Sequence, residues 1–141
     1  MPEALDRTLG DQFCSLPRHP TSAAAARILL RGFLSDFKGG EHYIEDAELI
    51  ITELITAAVL RPWRPEHLPI DVVFDHSAFT GLRIEVCDTG LPVRERLPVG
   101  GGGSPGLRLV RELSADWGHE LVECGTVTSR FWAHLAPPPP L

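Results

Sequence analysis

Three short segments of the sequence contain residues whose types and spacing could support catalysis or ligand binding. Glu53 lies in the run DAELIITELITAA, and Asp88 begins a D-x-G triplet that ends at Gly90. Four glycines, Gly100 to Gly103, stand shortly before Gly106. A glutamate beside an apolar helix face is a plausible general base. Each segment also has a plain interpretation: an exposed helical glutamate, an ordinary turn and a flexible loop.

Two helices are predicted to lie ahead of the D-x-G triplet. Ser22 to Phe37 has the apolar periodicity of a helix, with Thr21 or Ser22 as its N-cap and with a stripe of Ile28, Leu29, Phe33, Leu34 and Phe37. Tyr43 to Leu60 is the second helix, and its core face is predicted to consist of Ala47, Ile50, Ile51, Leu54, Ile55 and Ala58. With about 3.6 residues per turn, Glu53 and Ala57 fall on one edge of this helix beside the apolar face.

The remaining chain reads mainly as strands. Leu82 to Cys87 alternates apolar and polar residues as a half-buried strand does. The other strands are predicted at Phe13 to Leu16, Ile70 to Phe74, Leu121 to Cys124 and Arg130 to Leu135. Asp88 to Pro105 is predicted to be a loop that could act as a lid, followed by a helix over Leu107 to Ser114. Because the helices are grouped, the order predicts an α/β chain of the α+β two-layer sandwich type, with a mixed, mostly antiparallel sheet and helices on one face.

Size and composition narrow the function classes. The 141 residues predict one domain over 13–136, a lead-in over 1–12 and a proline-rich tail over 137–141. The net charge of −6 argues against a sequence-independent nucleic-acid binder and against a polybasic membrane anchor. The three cysteines and six histidines show no metal-binding spacing, so no metal site is predicted. No signal peptide or membrane-spanning run is evident, and a cytoplasmic location is expected.

In their order and spacing, these segments resemble the nucleotide-binding motifs of the GHKL superfamily. The relevant stretches are DAELIITELITAA, VCDTG and GSPGLRLV, followed by LSADWG. The closest resemblance is to the anti-sigma-factor serine kinases of Gram-positive bacteria, especially the small actinobacterial ones. It extends from about Phe13 to Leu135 and implies the Bergerat fold of that superfamily.

The resemblance implies a role for each matching residue. Glu53 corresponds to the glutamate that activates a nucleophile or water, and Asp88 to the aspartate that accepts a hydrogen bond from the adenine amino group. Gly90 would let the backbone approach the base. The bound nucleotide would be ATP or ADP. Ala57 occupies the position of the asparagine that holds Mg²⁺, and alanine has no oxygen to offer a metal.

The phosphate end of the motif set also departs from the family pattern. Gly103, Gly106 and Leu107 correspond to the lid and the start of its helix. Ser104, however, replaces the first glycine of the family's G-x-G-L pattern, and Pro105 has no backbone N–H to donate to a phosphate. Arg130 is placed to meet a phosphate, or simply lies exposed. The metal and phosphate end is therefore more altered than the adenine end.

Two functions follow from the resemblance. The first is a regulatory ATP-binding protein, acting as an anti-sigma factor or serine kinase on a sigma factor or a STAS-type antagonist, with a homodimer also implied. The alternative is a catalytically inactive pseudo-kinase adaptor that binds protein partners with little or no nucleotide. A soluble α/β domain with an unrelated role is the third interpretation.

Overall fold

Helices cover one face of a β-sheet in the computed structural model, which describes residues 11–60, 68–92, 105–124 and 126–139. The elements are β1 (Asp11–Leu16), α1 (Ser22–Ser35), a 3₁₀ turn (Gly40–His42), α2 (Ile44–Val59), β2 (Ile70–Ser77), β3 (Gly81–Pro92), α3 (Pro105–Leu113), β4 (Asp116–Cys124) and β5 (Thr126–Leu135). No helix in these ranges is both long enough and apolar enough to cross a bilayer.

The five strands form one sheet in the order β1-β2-β3-β5-β4. Every neighbouring pair among the described strands is antiparallel. The helices pack on the same face, with α1 against β1 and β2, α2 against β3 and β5, and α3 against β4 and β5. The predicted two-layer α+β sandwich is confirmed, and its sheet is antiparallel throughout the described residues.

The second helix supplies the centre of the core as predicted. Its buried side chains are the expected Ala47, Ile50, Ile51, Leu54, Ile55 and Ala58. They meet the inward-facing residues of β2, β3 and β5, among them Ile70, Val72, Phe74, Leu82, Ile84, Val86, Phe131 and Ala133. This packing fixes α2 over the middle of the sheet, with Glu53 and Ala57 on one edge of the helix.

The predicted stripe of the first helix was wrong at Ile28, which is 71% exposed. Phe33 and Leu34 of the predicted stripe are buried together with Ala26 and Leu30, and the half-buried Leu29 and Phe37 pack against the core. Ile28 is two positions from both Ala26 and Leu30, and two positions turn a helix by about 200°, so it points away from the core. The N-cap is Thr21, one of the two predicted positions, but its side chain forms no capping hydrogen bond.

The strands extend further than their sequence pattern indicates. β3 continues through the D-x-G triplet to Pro92, where a loop was expected, because β5 pairs with it along that length. β4 begins at Asp116 rather than Leu121, because β5 pairs with it from one end to the other. The third helix starts at Pro105, which suits the first helical position since proline lacks the N–H that would be unsatisfied there.

Candidate functional site

Asp88 lies on the helix-covered face of β3 and is fully buried. It follows Leu82, Ile84 and Val86 in the two-residue alternation of the strand, so it points into the core layer. The β3–β5 register shifts between Thr89 and Leu91, which leaves Gly90 at a β-bulge. The bulge bends the strand directly beside the aspartate.

A buried ion pair holds the Asp88 carboxylate. The Arg18 guanidinium donates through Nη2 to Asp88 Oδ1, and the two side chains are 3% and 0% exposed. Nη1 of the same guanidinium donates to the backbone carbonyl of Ala58, 3.2 Å away, in the last turn of α2. One arginine therefore connects β3 to the end of the helix that carries Glu53 and Ala57.

The loop between β1 and α1 places Arg18 in this position. Pro17 and Pro20 flank it and restrict the backbone. His19 N–H donates to the Pro17 carbonyl, and Ser22 N–H donates to the His19 carbonyl, each at 2.9 Å. The Ser22 hydroxyl donates back to the Pro17 carbonyl. These bonds form a tight turn that directs Arg18 under the sheet.

The predicted catalytic residue, Glu53, lies half-buried on α2 one turn before Ala57. Within the described part of the chain, its carboxylate forms no hydrogen bond or ion pair. Ala57 is also half-buried and offers no oxygen ligand. Among the described residues, no group of three or more His, Cys, Asp or Glu side chains is placed to hold a metal ion. The residues present therefore do not fit the Mg²⁺ position of the resemblance.

The lid residues are described only in part. Gly103 lies outside the described residues. Gly106 is the second residue of α3, and the half-buried Leu107 packs against the hydrophobic core. Because α3 also packs against α2, the start of α3 belongs to the same layer as Glu53.

Arg130 is not brought together with Asp88. It pairs in register with Cys87, whereas Asp88 pairs with Ser129, so Arg130 points to the opposite face of the sheet. There it contacts Glu120 at 3.2 Å and Glu85 at 3.5 Å. Hydrogen bonds to Cys87 and Glu120 raise the pKa of Arg130 above its ordinary value. The phosphate contact expected of Arg130 stays a prediction, and the structure places this half-buried arginine on the uncovered face of the sheet.

Two residues of the site were not singled out as ligands from the sequence. For Arg18, the only indication in the sequence of a role in the site was its place between two prolines. Ser129, directly opposite Asp88, is fully buried, and its hydroxyl lies 2.8 Å from Nε2 of His119 on β4. A small polar residue two positions before the buried Phe131 was a usable signal, because it shares the inward face with Phe131.

The sequence matches no protein-family model, and it matches no curated protein sequence. Fourteen chains of solved structures match the chain. One belongs to the crystal structure of the RsbU and RsbW domains of Rv1364c from Mycobacterium tuberculosis, with a TM-score of 0.64 and 19% identity over 91% of this chain. The match covers 32% of that chain, so the present chain spans about a third of its length.

A second match belongs to the SiaB-SiaC complex from Pseudomonas aeruginosa, with a TM-score of 0.67 and 14% identity. It covers 94% of this chain and 95% of that one. The chain thus shares its fold with these two solved structures.

Proposed function

We propose that this chain regulates transcription by binding protein partners, as a catalytically inactive adaptor of the anti-sigma-factor type. The partner would be a sigma factor or a STAS-type antagonist in the cytoplasm. The observation that carries the proposal is the buried Arg18–Asp88 ion pair, because the carboxylate that would receive adenine already accepts from a guanidinium. Ala57 at the metal position supports the same choice of an adaptor over a kinase.

The comparisons support a role in protein binding. One structural neighbour contains an RsbW domain beside an RsbU domain, and the other is a complex of two proteins. The second neighbour is matched over 95% of its chain, so the similarity of fold extends over nearly its full length.

The outer surface of the first two helices is a suitable partner surface. Arg31 of α1 pairs with Glu48 of α2, and Arg27 Nη1 donates to Thr52 Oγ1 at 2.9 Å, so the helices form one platform. Ile28 is 71% exposed and Leu49 is 45% exposed on these helices. Exposed apolar side chains among polar ones are typical of the centre of a protein interface.

Titration calorimetry against the STAS-domain proteins and sigma factors of the source organism tests the proposal. We expect one of them to bind without nucleotide, and we expect I28D and L49D to weaken binding by tenfold or more. F79D is the matched control, because Phe79 is 92% exposed in the distant β2–β3 turn. Absence of binding to every candidate would rule out the adaptor.

The second candidate is a serine kinase, and it is favoured by the half-buried Glu53, whose carboxylate has no hydrogen-bond or ion-pair partner among the described residues. In this reaction the γ-phosphoryl group of ATP would pass to a serine hydroxyl of the STAS partner, the serine proton would pass to Glu53, and ADP would leave. Incubation with labelled ATP, Mg²⁺ and the partner tests it. Phosphate on the partner that E53Q abolishes would establish the kinase, and unlabelled partner would leave the adaptor.

A further inference from the structure

The Arg18 side chain occupies the hydrogen-bonding position that a nucleotide base would need. Its guanidinium presents N–H donors to Asp88, as the exocyclic amino group of adenine would. The contact is 3% exposed on the arginine side and 0% on the aspartate side. A base cannot reach the same carboxylate oxygen while the guanidinium remains there.

We infer that Arg18 is an internal plug of the nucleotide pocket, and that nucleotide binding requires the β1–α1 loop to withdraw it. The inference rests on the proposed function only in taking Asp88 as the adenine acceptor. The inference adds a means of regulation to the proposed function, because the β1–α1 loop that carries Arg18 leads directly into α1. Any ligand or partner that moves the start of α1 would thereby open or close the pocket.

The plug is well suited to being moved as a unit. Arg18 contacts the body of the protein through Asp88 and through the Ala58 carbonyl, which is at the end of α2. The turn that carries it is stabilised by its own short-range bonds between Pro17, His19 and Ser22. Withdrawal would break the contacts to Asp88 and Ala58 and leave the turn held by its short-range bonds alone, so that its amides open to solvent more readily.

ADP affinity measured by calorimetry on the full chain tests the inference. R18M keeps the apolar stem and removes the donors, and it should bind ADP at least tenfold more tightly than the wild type. R27M is the matched control, because Arg27 joins α1 to α2 through Thr52 and does not contact Asp88. Equal affinity in R18M and wild type, including no binding by either, overturns the plug.

A double variant shows whether the gain passes through Asp88. R18M/D88L replaces the ion pair by two apolar side chains, a change that folded proteins often tolerate. It should lose the ADP binding gained by R18M. If the double variant binds ADP as tightly as R18M, the gain does not involve Asp88 and the inference fails.

R18M leaves a buried carboxylate without its arginine and could fail to fold. In that case, hydrogen–deuterium exchange of the wild type at millimolar ADP replaces it. Faster exchange of the His19 and Ser22 amides with ADP supports withdrawal of the loop, and unchanged exchange overturns it. Binding of a STAS protein or sigma factor without nucleotide is measured separately, so either idea can fail while the other stands.

Discussion

Gly118 of β4 lies directly opposite Trp132 of β5, and a Cβ on Gly118 would stand 2.7 Å from three atoms of the indole ring. The Arg83 guanidinium also contacts the indole, 4.5 Å from the ring centroid. The absence of a side chain at Gly118 therefore lets the ring lie flat on the uncovered face of the sheet.

The first prediction is that G118A destabilises the fold by about 1–3 kcal/mol, because the indole must shift away from the added methyl group. Guanidinium denaturation of wild type and variant measures the change. G32A is the control, because a Cβ at Gly32 meets nothing within 4 Å. In the middle of α1 it should stabilise by roughly 0.5–1 kcal/mol. An unchanged free energy of unfolding in G118A would contradict the close approach of Gly118 to the Trp132 ring.

The second prediction concerns the metal position. In the R18M background, A57N should make ATP binding depend on Mg²⁺, because the amide restores an oxygen ligand one turn after Glu53. Calorimetry with Mg²⁺ and with EDTA should differ several-fold for A57N and not for A57V. If A57N binds ATP equally well with Mg²⁺ and with EDTA, the loss of the magnesium site involves more than this one residue.

The third prediction is a loss of stability in mild acid that depends on His76. Its ring stacks on Phe37 with centroids 3.7 Å apart, and burial lowers the pKa of His76, with Asp75 opposing the shift. Since the folded-state pKa lies below the unfolded value of 6.5, the unfolded chain binds the proton more readily. Stability should therefore fall as the pH drops through about 6.5 and level off below the folded-state pKa.

H76F keeps an aromatic ring in the stack and removes the titrating group. Urea denaturation at pH 7.5 and 5.5 should show a smaller loss for H76F than for wild type. F37L is the control: it should be less stable at both pH values while still losing stability in acid. Equal losses in wild type and H76F would show that His76 does not contribute.

The fourth prediction concerns thiol reactivity. Burial raises the pKa of Cys87 most, and a hydrogen bond from Arg130 opposes the shift. Burial, followed by the charge of Asp71, raises the pKa of Cys14. Both thiols should react with iodoacetamide at pH 8 more slowly in the folded chain than in urea, since the thiolate is the nucleophile.

R130Q should further slow the reaction of Cys87 with iodoacetamide, because the substitution removes the arginine donor that favours the thiolate. Cys14 is the internal reference and should react at an unchanged rate. Mass spectrometry of timed samples reads both sites in one experiment. If Cys87 reacts with iodoacetamide faster in R130Q than in the wild type, solvent exposure rather than the hydrogen bond controls its reactivity.

The sequence indicated the helices better than the strand ends. The six core residues of α2 were identified correctly because helical periodicity is a local property. The continuation of β3 past Asp88 was not, because partner residues on β5 are about forty positions away in the sequence. Strand length is set by pairing, and a single segment carries little information about its partner.

By itself, the sequence determined the layer order and the core face of α2, and it placed Asp88 at the end of an alternating strand. These follow from periodicities of two residues in strands and about 3.6 residues in helices, which are local features of the sequence. Only the tertiary structure decided that Arg18 meets Asp88 and that Arg130 does not. The first contact joins residues 70 positions apart through a loop, and the second depends on which residue of β5 lies opposite Asp88. Neither is a local property of the chain, since both arise when β1, β3 and β5 assemble into one sheet.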